Sequence, residues 1–162
     1  MTDKERLTLF IALSADVTAF TAFELYGTGQ ADAYLSTVRD VVGEDILDEL
    51  LAAYDRVRGE APQKGSAKDD GLRRDIFSDE KLGPIARNII KLWYVGTWFE
   101  LPRAWTETFG AREKNVSFMV SPMSYTEGLL WPAIGANPSG AKAPGYGSWT
   151  GPPQIPAVPT NR

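Results

Sequence analysis

The 162-residue sequence contains neither cysteine nor histidine. Without cysteine there is no disulfide, no thiolate zinc site, no iron–sulfur ligation and no Cys-x-x-Cys-His haem attachment. Without histidine the usual general base, the usual nucleophilic triad and the commonest metal ligand are missing. Carboxylates, lysine and tyrosine remain, but the roles that catalysis requires are thinly supplied. The expectation is a non-catalytic chain with no cofactor-binding and no metal-ligating residues. Positive charge is also scarce: 17 Lys and Arg stand against 21 Asp and Glu, a net charge of -4. Phosphate binding needs a basic face, so nucleic acid is excluded as a partner. Long apolar runs are missing too. Leu7 to Leu13 is too short to cross a bilayer, and Asp3 and Glu5 precede it where a signal peptide is basic. Arg73-Arg74 lies in mid-chain, away from any leader. The sequence as written therefore reads as cytoplasmic, or as periplasmic at the inner membrane if a leader has been removed.

What is present is the composition of a folded globular chain, 43% hydrophobic and 23% charged. Thr2-Asp3-Lys4-Glu5 has capping-box spacing and predicts a helix from about Asp3 to Leu13. Ser14 to Tyr26 is aromatic-rich and less regular, and ends at the breaker Gly27-Thr28-Gly29. Tyr34, Leu35, Val38, Val41 and Val42 form one helical stripe, and Ile46, Leu47, Leu50, Leu51, Tyr54 and Val57 form a second beyond Gly43. Gly59 to Asp70 reads as a polar loop and Gly71 to Phe77 as a short helix. Leu82, Ile85, Ala86, Ile89, Ile90 and Trp93 make a third stripe, with Asp79 as its cap and Pro84 in the first turn. From Leu92 to Leu101 apolar residues occupy every side of the helical wheel, which predicts burial all round and a share for another chain; Pro102 ends that helix. A turn of helix around Trp105, an extended piece from Val116 to Val120, and a last helix opened by Ser121-Pro122 complete the body. The predicted fold is all-α: a compact domain of about five to six helices over residues 1–134, followed by an extended Pro/Gly-rich tail over 135–162.

That tail carries only Lys142 and Arg162 as charges, together with Tyr146, Trp149 and Ile155. Continuous Pro and Gly exclude helix and inner strand. Three placements compete: solvent, the chain's own helices, and a partner's surface. Disordered tails stay solvated by being charged and poor in aromatics, and this one is neither. A semi-stiff segment with spaced aromatics loses little entropy on docking, which favours a partner with Tyr146 and Trp149 as anchors.

Candidate chemistry is sparse. Glu44, Asp45, Asp48 and Glu49 lack the spacing of a calcium loop and suit the positive end of a helix. Gly27-Thr28-Gly29 is a turn, not a dinucleotide fingerprint. Ser148 among glycines has no histidine to activate it. Asn115-Val116-Ser117 matches a glycosylation acceptor, a pattern frequent by chance. A small enzyme built on Tyr94, Tyr125 and Glu127 is a remaining reading, and a stand-alone helical protein-binding or assembly module is another.

Three segments carry a resemblance: Ile89-Ile90-Lys91-Leu92-Trp93-Tyr94-Val95-Gly96, Ser124-Tyr125-Thr126-Glu127-Gly128-Leu129-Leu130-Trp131, and Pro144-Gly145-Tyr146-Gly147-Ser148-Trp149 with Pro152-Pro153. In this order they resemble the small subunit of membrane-associated, FAD-dependent sugar and polyol dehydrogenase complexes, the sorbitol, fructose and glucose dehydrogenases. Phe10 to Gly29 is similar to the opening helices of that family, and Gly59 to Asp70 has no counterpart. The resemblance implies a partner: a large FAD-containing oxidoreductase subunit of the glucose–methanol–choline type, with a cytochrome c or another acceptor in the same complex. It implies that the small subunit holds no cofactor and supports folding, stability and export of the catalytic chain. Two departures stand out. Many relatives begin with a twin-arginine leader, and some have a cysteine before the Pro-Gly-aromatic ending; this sequence has neither. The residues expected at the partner interface are Trp93, Tyr94, Trp98, Tyr125, Trp131, Pro144, Tyr146, Trp149, Pro152 and Pro153.

Overall fold

A computed structural model describes residues 1–60, 66–110 and 112–141, and 69% of these are helical. The chain is thus mostly helical, with one two-stranded antiparallel sheet that the all-α expectation omitted. None of its helices is long and apolar enough to cross a membrane, among the described residues.

Helix α1 (Asp3–Thr18) starts at the expected capping box: Glu5 N–H donates to Thr2 Oγ1 at 3.3 Å and Thr2 N–H to Glu5 Oε2 at 2.7 Å. It runs a full turn past the predicted end, because Ser14 and Thr18 face inward with Phe10, Ile11 and Leu13. The chain then turns at Ala19, whose φ of 63° is unusual for a residue with a Cβ. A second capping box, Thr21 with Glu24, opens α2 (Ala22–Gly27) inside the stretch expected to be irregular. Helices α3 (Ala31–Val42) and α4 (Glu44–Glu60) carry the two predicted stripes inward, separated by Gly43 at φ 92°.

The predicted loop is partly overturned. Residues Ser66–Leu72 form α5, which continues directly into a π-helical turn, Arg73–Phe77. The helix begins here because Leu72 and Ile76 are buried, while Lys68 pairs with Asp16 on α1. Helix α6 (Leu82–Val95) follows, with Asp79 Oδ1 accepting from Lys81 N–H and Leu82 N–H at 2.8 and 2.7 Å.

The all-round apolar run after Leu92 is not one helix. Gly96 takes φ 67° and ends α6; β1 (Thr97–Trp98) then pairs with β2 (Phe118–Met119) in the register Thr97↔Met119 and Trp98↔Phe118. The reversal lets the chain's own core receive Leu92, Trp93, Trp98 and Leu101 from different directions. Helix α7 (Arg103–Phe109) lies between the strands. The last predicted helix is two short ones, α8 (Pro122–Thr126) and α9 (Leu130–Ala133), interrupted around Gly128.

The core lies among α1, α3, α4 and α6. Its centre is Trp93, edge-on to Tyr34 at 4.9 Å and tilted against Phe10 at 6.2 Å. An aromatic edge contact of this kind adds about 0.5–1.5 kcal/mol beyond the buried area. Arg6 joins α1 to α4 by a two-pronged grip on Asp48 at 2.7 and 2.9 Å, with Glu44 at 2.5 Å and Asp3 at 3.0 Å. The acidic start of α4 is therefore matched by a cation of α1, and Glu49 by Lys81.

Candidate functional site

The end of α6 positions everything that follows it. Trp93 C=O accepts from Leu129 N–H at 2.9 Å, and Gly96 C=O accepts from Val120 N–H and from the buried Ser124 hydroxyl, both at 3.0 Å. Two glycines permit this approach of backbone to backbone. A Cβ on Gly96 would stand 2.5 Å from the Ser124 carbonyl carbon, and one on Gly128 would stand 2.7 Å from the Tyr94 carbonyl oxygen. The Ser121–Ser124 capping box holds α8 in this position, Ser124 N–H donating to Ser121 Oγ at 3.0 Å. Beneath it lies Tyr34, whose hydroxyl burial pushes well above the usual phenol value, against a smaller opposing pull from Ser124.

This seam sets α8 and α9 beside α2. Between them runs an open cleft of about 420 Å³, bordered by Phe20, Glu24 and Thr28 on one side and Thr126, Trp131 and Pro138 on the other. Around the far side of α8 a second cleft opens between β2, Pro122, Tyr125 and Ala141, and Thr126 borders both. The surroundings are apolar and open to solvent: Phe23 is 86% exposed and Ile134 61%, with Tyr26, Met119 and Met123 at least half-exposed. Phe23 and Tyr26 are three apart on α2 and so neighbour one another on its outer face. Exposed apolar side chains mark an interaction surface where they form a contiguous patch.

The interface residues expected from sequence divide into three groups. Tyr94, Tyr125 and Trp131 are half-buried. The Tyr94 hydroxyl donates to Thr18 C=O at 2.9 Å and its ring stands edge-on to Phe20. Tyr125 and Trp131 form an edge pair at 5.4 Å, with Trp131 Nε1–H donating to Tyr125 C=O at 2.7 Å. Trp93 and Trp98 are 1% and 0% exposed and offer a partner nothing; the core has taken them. Pro144, Tyr146, Trp149, Pro152 and Pro153 lie outside the described residues. The first part of the predicted tail, residues 135–141, is seated on the body. Ala136 N–H donates to Trp131 C=O at 2.9 Å, Pro138 is buried, and Tyr125 OH donates to Ser139 C=O at 3.3 Å.

Phe23, Tyr26, Met119, Met123 and Ile134 were missed by sequence reasoning. The available signal was the Thr21-Ala22-Phe23-Glu24 capping box, which puts Phe23 in the first turn of a helix too short to bury two faces.

The chemistry open to these groups is limited. Both tyrosine hydroxyls of the candidate enzyme reading are engaged by backbone carbonyls, at Thr18 and Ser139. Thr21 holds the Glu24 carboxylate below its usual range through the backbone and side-chain hydrogen bonds of the cap. No group of three or more acidic residues that could hold a metal occurs among the described residues. Asn115 is buried, its Oδ1 accepting from Leu101 N–H at 2.9 Å and its Nδ2–H donating to Thr106 Oγ1 at 3.2 Å, so its side chain is a structural brace and unavailable to a glycan. No family model, no curated protein and no solved structure matches the chain.

Proposed function

We propose that this chain is a non-catalytic accessory subunit that binds, through the α2–α8–α9 face and its C-terminal segment, the large FAD-containing subunit of a sugar or polyol dehydrogenase complex. Its work is to support the folding, stability and export of that flavoprotein. The observation that carries the reading is where the motif segments fall. Ile89–Gly96 and Ser124–Trp131, two of the three on which the family resemblance rests, meet along one backbone seam, and that seam seats the apolar face. Phe23 and Tyr26 on α2, Met123 on α8 and Ile134 at the end of α9 are exposed apolar side chains on the elements that this seam positions.

The test is co-expression with the large flavoprotein subunit of a sorbitol, fructose or glucose dehydrogenase. The chain is expected to co-purify with yellow, active protein. A well-behaved monomer indifferent to all three flavoproteins would sink the idea. The surface assignment is checked separately with Phe23→Ser and Met123→Ser. Exposed positions of this kind shift stability by no more than about 0.5 kcal/mol, whereas loss of a central anchor weakens association by about 2 kcal/mol or more.

A further inference from the structure

Two residues of α6 are exposed, Arg87 and Lys91, and both are cations, one turn apart on the same face. Other surface cations are met by carboxylates: Arg58 by Asp55, Arg74 by Asp75, Lys81 by Glu49, Arg103 by Glu107 and Lys114 by Asp40. Arg87 and Lys91 make no ion pair among the described residues and lie on aromatic rings instead. The Arg87 guanidinium is 5.8 Å from the centre of the Phe77 ring and donates to Phe77 C=O at 2.8 Å; Lys91 Nζ is 4.8 Å from the centre of Phe99. Phe99 is held in turn by the buried Asn88, whose Nδ2–H donates to its carbonyl at 2.7 Å. A Cβ on Gly83 would stand 2.7 Å from the Phe77 carbonyl oxygen and 2.9 Å from Arg87 Nη1, so that glycine makes the room that the stack occupies. Arg87 also borders an open cleft of about 400 Å³ together with Arg73, Val17, Leu72 and Phe77. Arg73 likewise makes no ion pair among the described residues. Of the two carboxylates in that lining, Asp16 is already taken by Lys68 and by the Tyr54 hydroxyl, which donates to it at 2.6 Å. Asp69 makes no ion pair among the described residues, and Glu100, beside Phe99 in the chain, makes none with Lys91. Three unpaired cations are therefore neighbours: Arg73 and Arg87 around one cleft, Arg87 and Lys91 along one helix.

We propose that this cationic ridge is a docking site for an extended acidic segment of a protein partner, one that carries Asp or Glu at alternate positions. Four residues of helix advance about 6 Å. Side chains on one face of an extended chain recur every two residues, about 6.6–6.8 Å apart. Alternate carboxylates thus meet Arg87 and Lys91 in step, whereas a compact anion such as phosphate calls for donors that converge on one point. Cations already ordered on aromatic rings lose little further entropy when an anion arrives. Arg87 Nε and Nη1 have no acceptor among the described residues and are open to a carboxylate, which guanidinium binds in two-pronged fashion. The ridge adds an electrostatic surface near the apolar one, since Val17 borders its cleft and Phe20, three residues on, borders the α2 cleft. The two surfaces are independent, so failure here would leave the accessory-subunit reading standing.

The experiment titrates the full chain into two fluorescein-labelled twelve-residue peptides of equal charge and follows fluorescence anisotropy. In one peptide Glu and Ser alternate; in the other Glu-Glu-Ser-Ser repeats. The alternating peptide is expected to bind saturably and about fivefold more tightly than the paired one at low ionic strength. Arg87→Gln and Lys91→Gln are each expected to weaken it about fivefold. Arg103→Gln, which removes an exposed but paired cation of α7, should leave it unchanged. Asp69→Asn should tighten it by removing a competing carboxylate from the cleft. All four positions are exposed, so the variants fold as the parent does, and their melting temperatures check this. Equal binding of the two peptides overturns the proposal, because it would reflect charge without spacing. So does the absence of saturable binding, or binding that Arg87→Gln and Lys91→Gln leave intact. Displacement by inorganic phosphate at lower concentration than by unlabelled alternating peptide would assign the ridge to a compact anion. Tighter binding of oligothymidylate than of the alternating peptide would assign it to nucleic acid, and either result overturns the proposal.

Discussion

Gly96→Ala separates two costs that the fold superimposes at one residue. At φ 67° an added Cβ meets left-handed backbone strain of roughly 1–2 kcal/mol, reduced by about 0.4–1 kcal/mol because alanine restricts the unfolded chain. Gly110→Ala, at φ 76° with nothing within 4 Å, isolates that part and should cost about 1 kcal/mol. At Gly96 the Cβ would also lie 2.5 Å from the Ser124 carbonyl carbon, and a normal contact requires α8 to retreat by about 1 Å. That retreat breaks the bonds from Ser124 Oγ and Val120 N–H to Gly96 C=O, both 3.0 Å long. At about 1 kcal/mol per hydrogen bond, and more for a buried group left unpaired, the total reaches about 3–4 kcal/mol. Gly128→Ala removes the φ contribution but keeps the collision with the Tyr94 carbonyl, and should fall between the two. Urea unfolding followed by tryptophan fluorescence ranks the three at constant slope. If Gly96→Ala were no costlier than Gly110→Ala, the close approach of α8 to the end of α6 would be wrong, and the clefts on either side of α8 with it.

Other outcomes follow from single contacts. Ser14 is fully buried with its hydroxyl unpartnered, so Ser14→Ala should stabilise the chain by about 1–2 kcal/mol in the same urea titration. The hydrogen bonds from Arg6 hold the Asp48 carboxyl below its usual value. A depressed folded pKa means stability that is present above the unfolded value of about 3.9 and is lost as pH falls through the folded one. Asp48→Asn should therefore lower the urea midpoint at neutral pH, and the gap to the parent chain should close in acid; a gap constant with pH would contradict the Arg6 assignment. Gly59→Ala, in helix α4 with open space around it, should stabilise by about 0.5–1 kcal/mol, read as a rise in melting temperature.

Legibility in the sequence followed element length. Helices α3, α4 and α6 have enough turns to repeat an apolar stripe, and the residues named from periodicity are those that fill the core, with Ile46 and Ile90 at its margin. Short elements lack that repeat. Helix α2 was concealed by its own aromatics, because Phe23 and Tyr26 face water where periodicity expects burial. The run from Leu92 to Leu101 was misread because apolar residues on every side of a wheel and apolar residues on both arms of a reversal give the same composition. Gly96 was the available discriminator, being the one residue in that stretch that takes a positive φ at no steric cost. The same error placed Trp93 and Trp98 at an interface. The half-buried aromatics Tyr94, Tyr125 and Trp131 were found because they belong to the motif segments, whereas the side chains actually facing water belong to none.

The last turn of α6 belongs to two structures at once: Trp93 anchors the core with its ring and α9 with its carbonyl. Folding and surface recognition are consequently linked reactions. Any molecule that grips α8 and α9 only in their native placement must raise the melting temperature of the whole domain with its concentration, by RT ln(1 + [L]/Kd). It must also slow hydrogen exchange at the Leu129 amide, whose opening requires that placement to be lost. Melting temperature and amide exchange can thus report occupancy of the surface without any label on it.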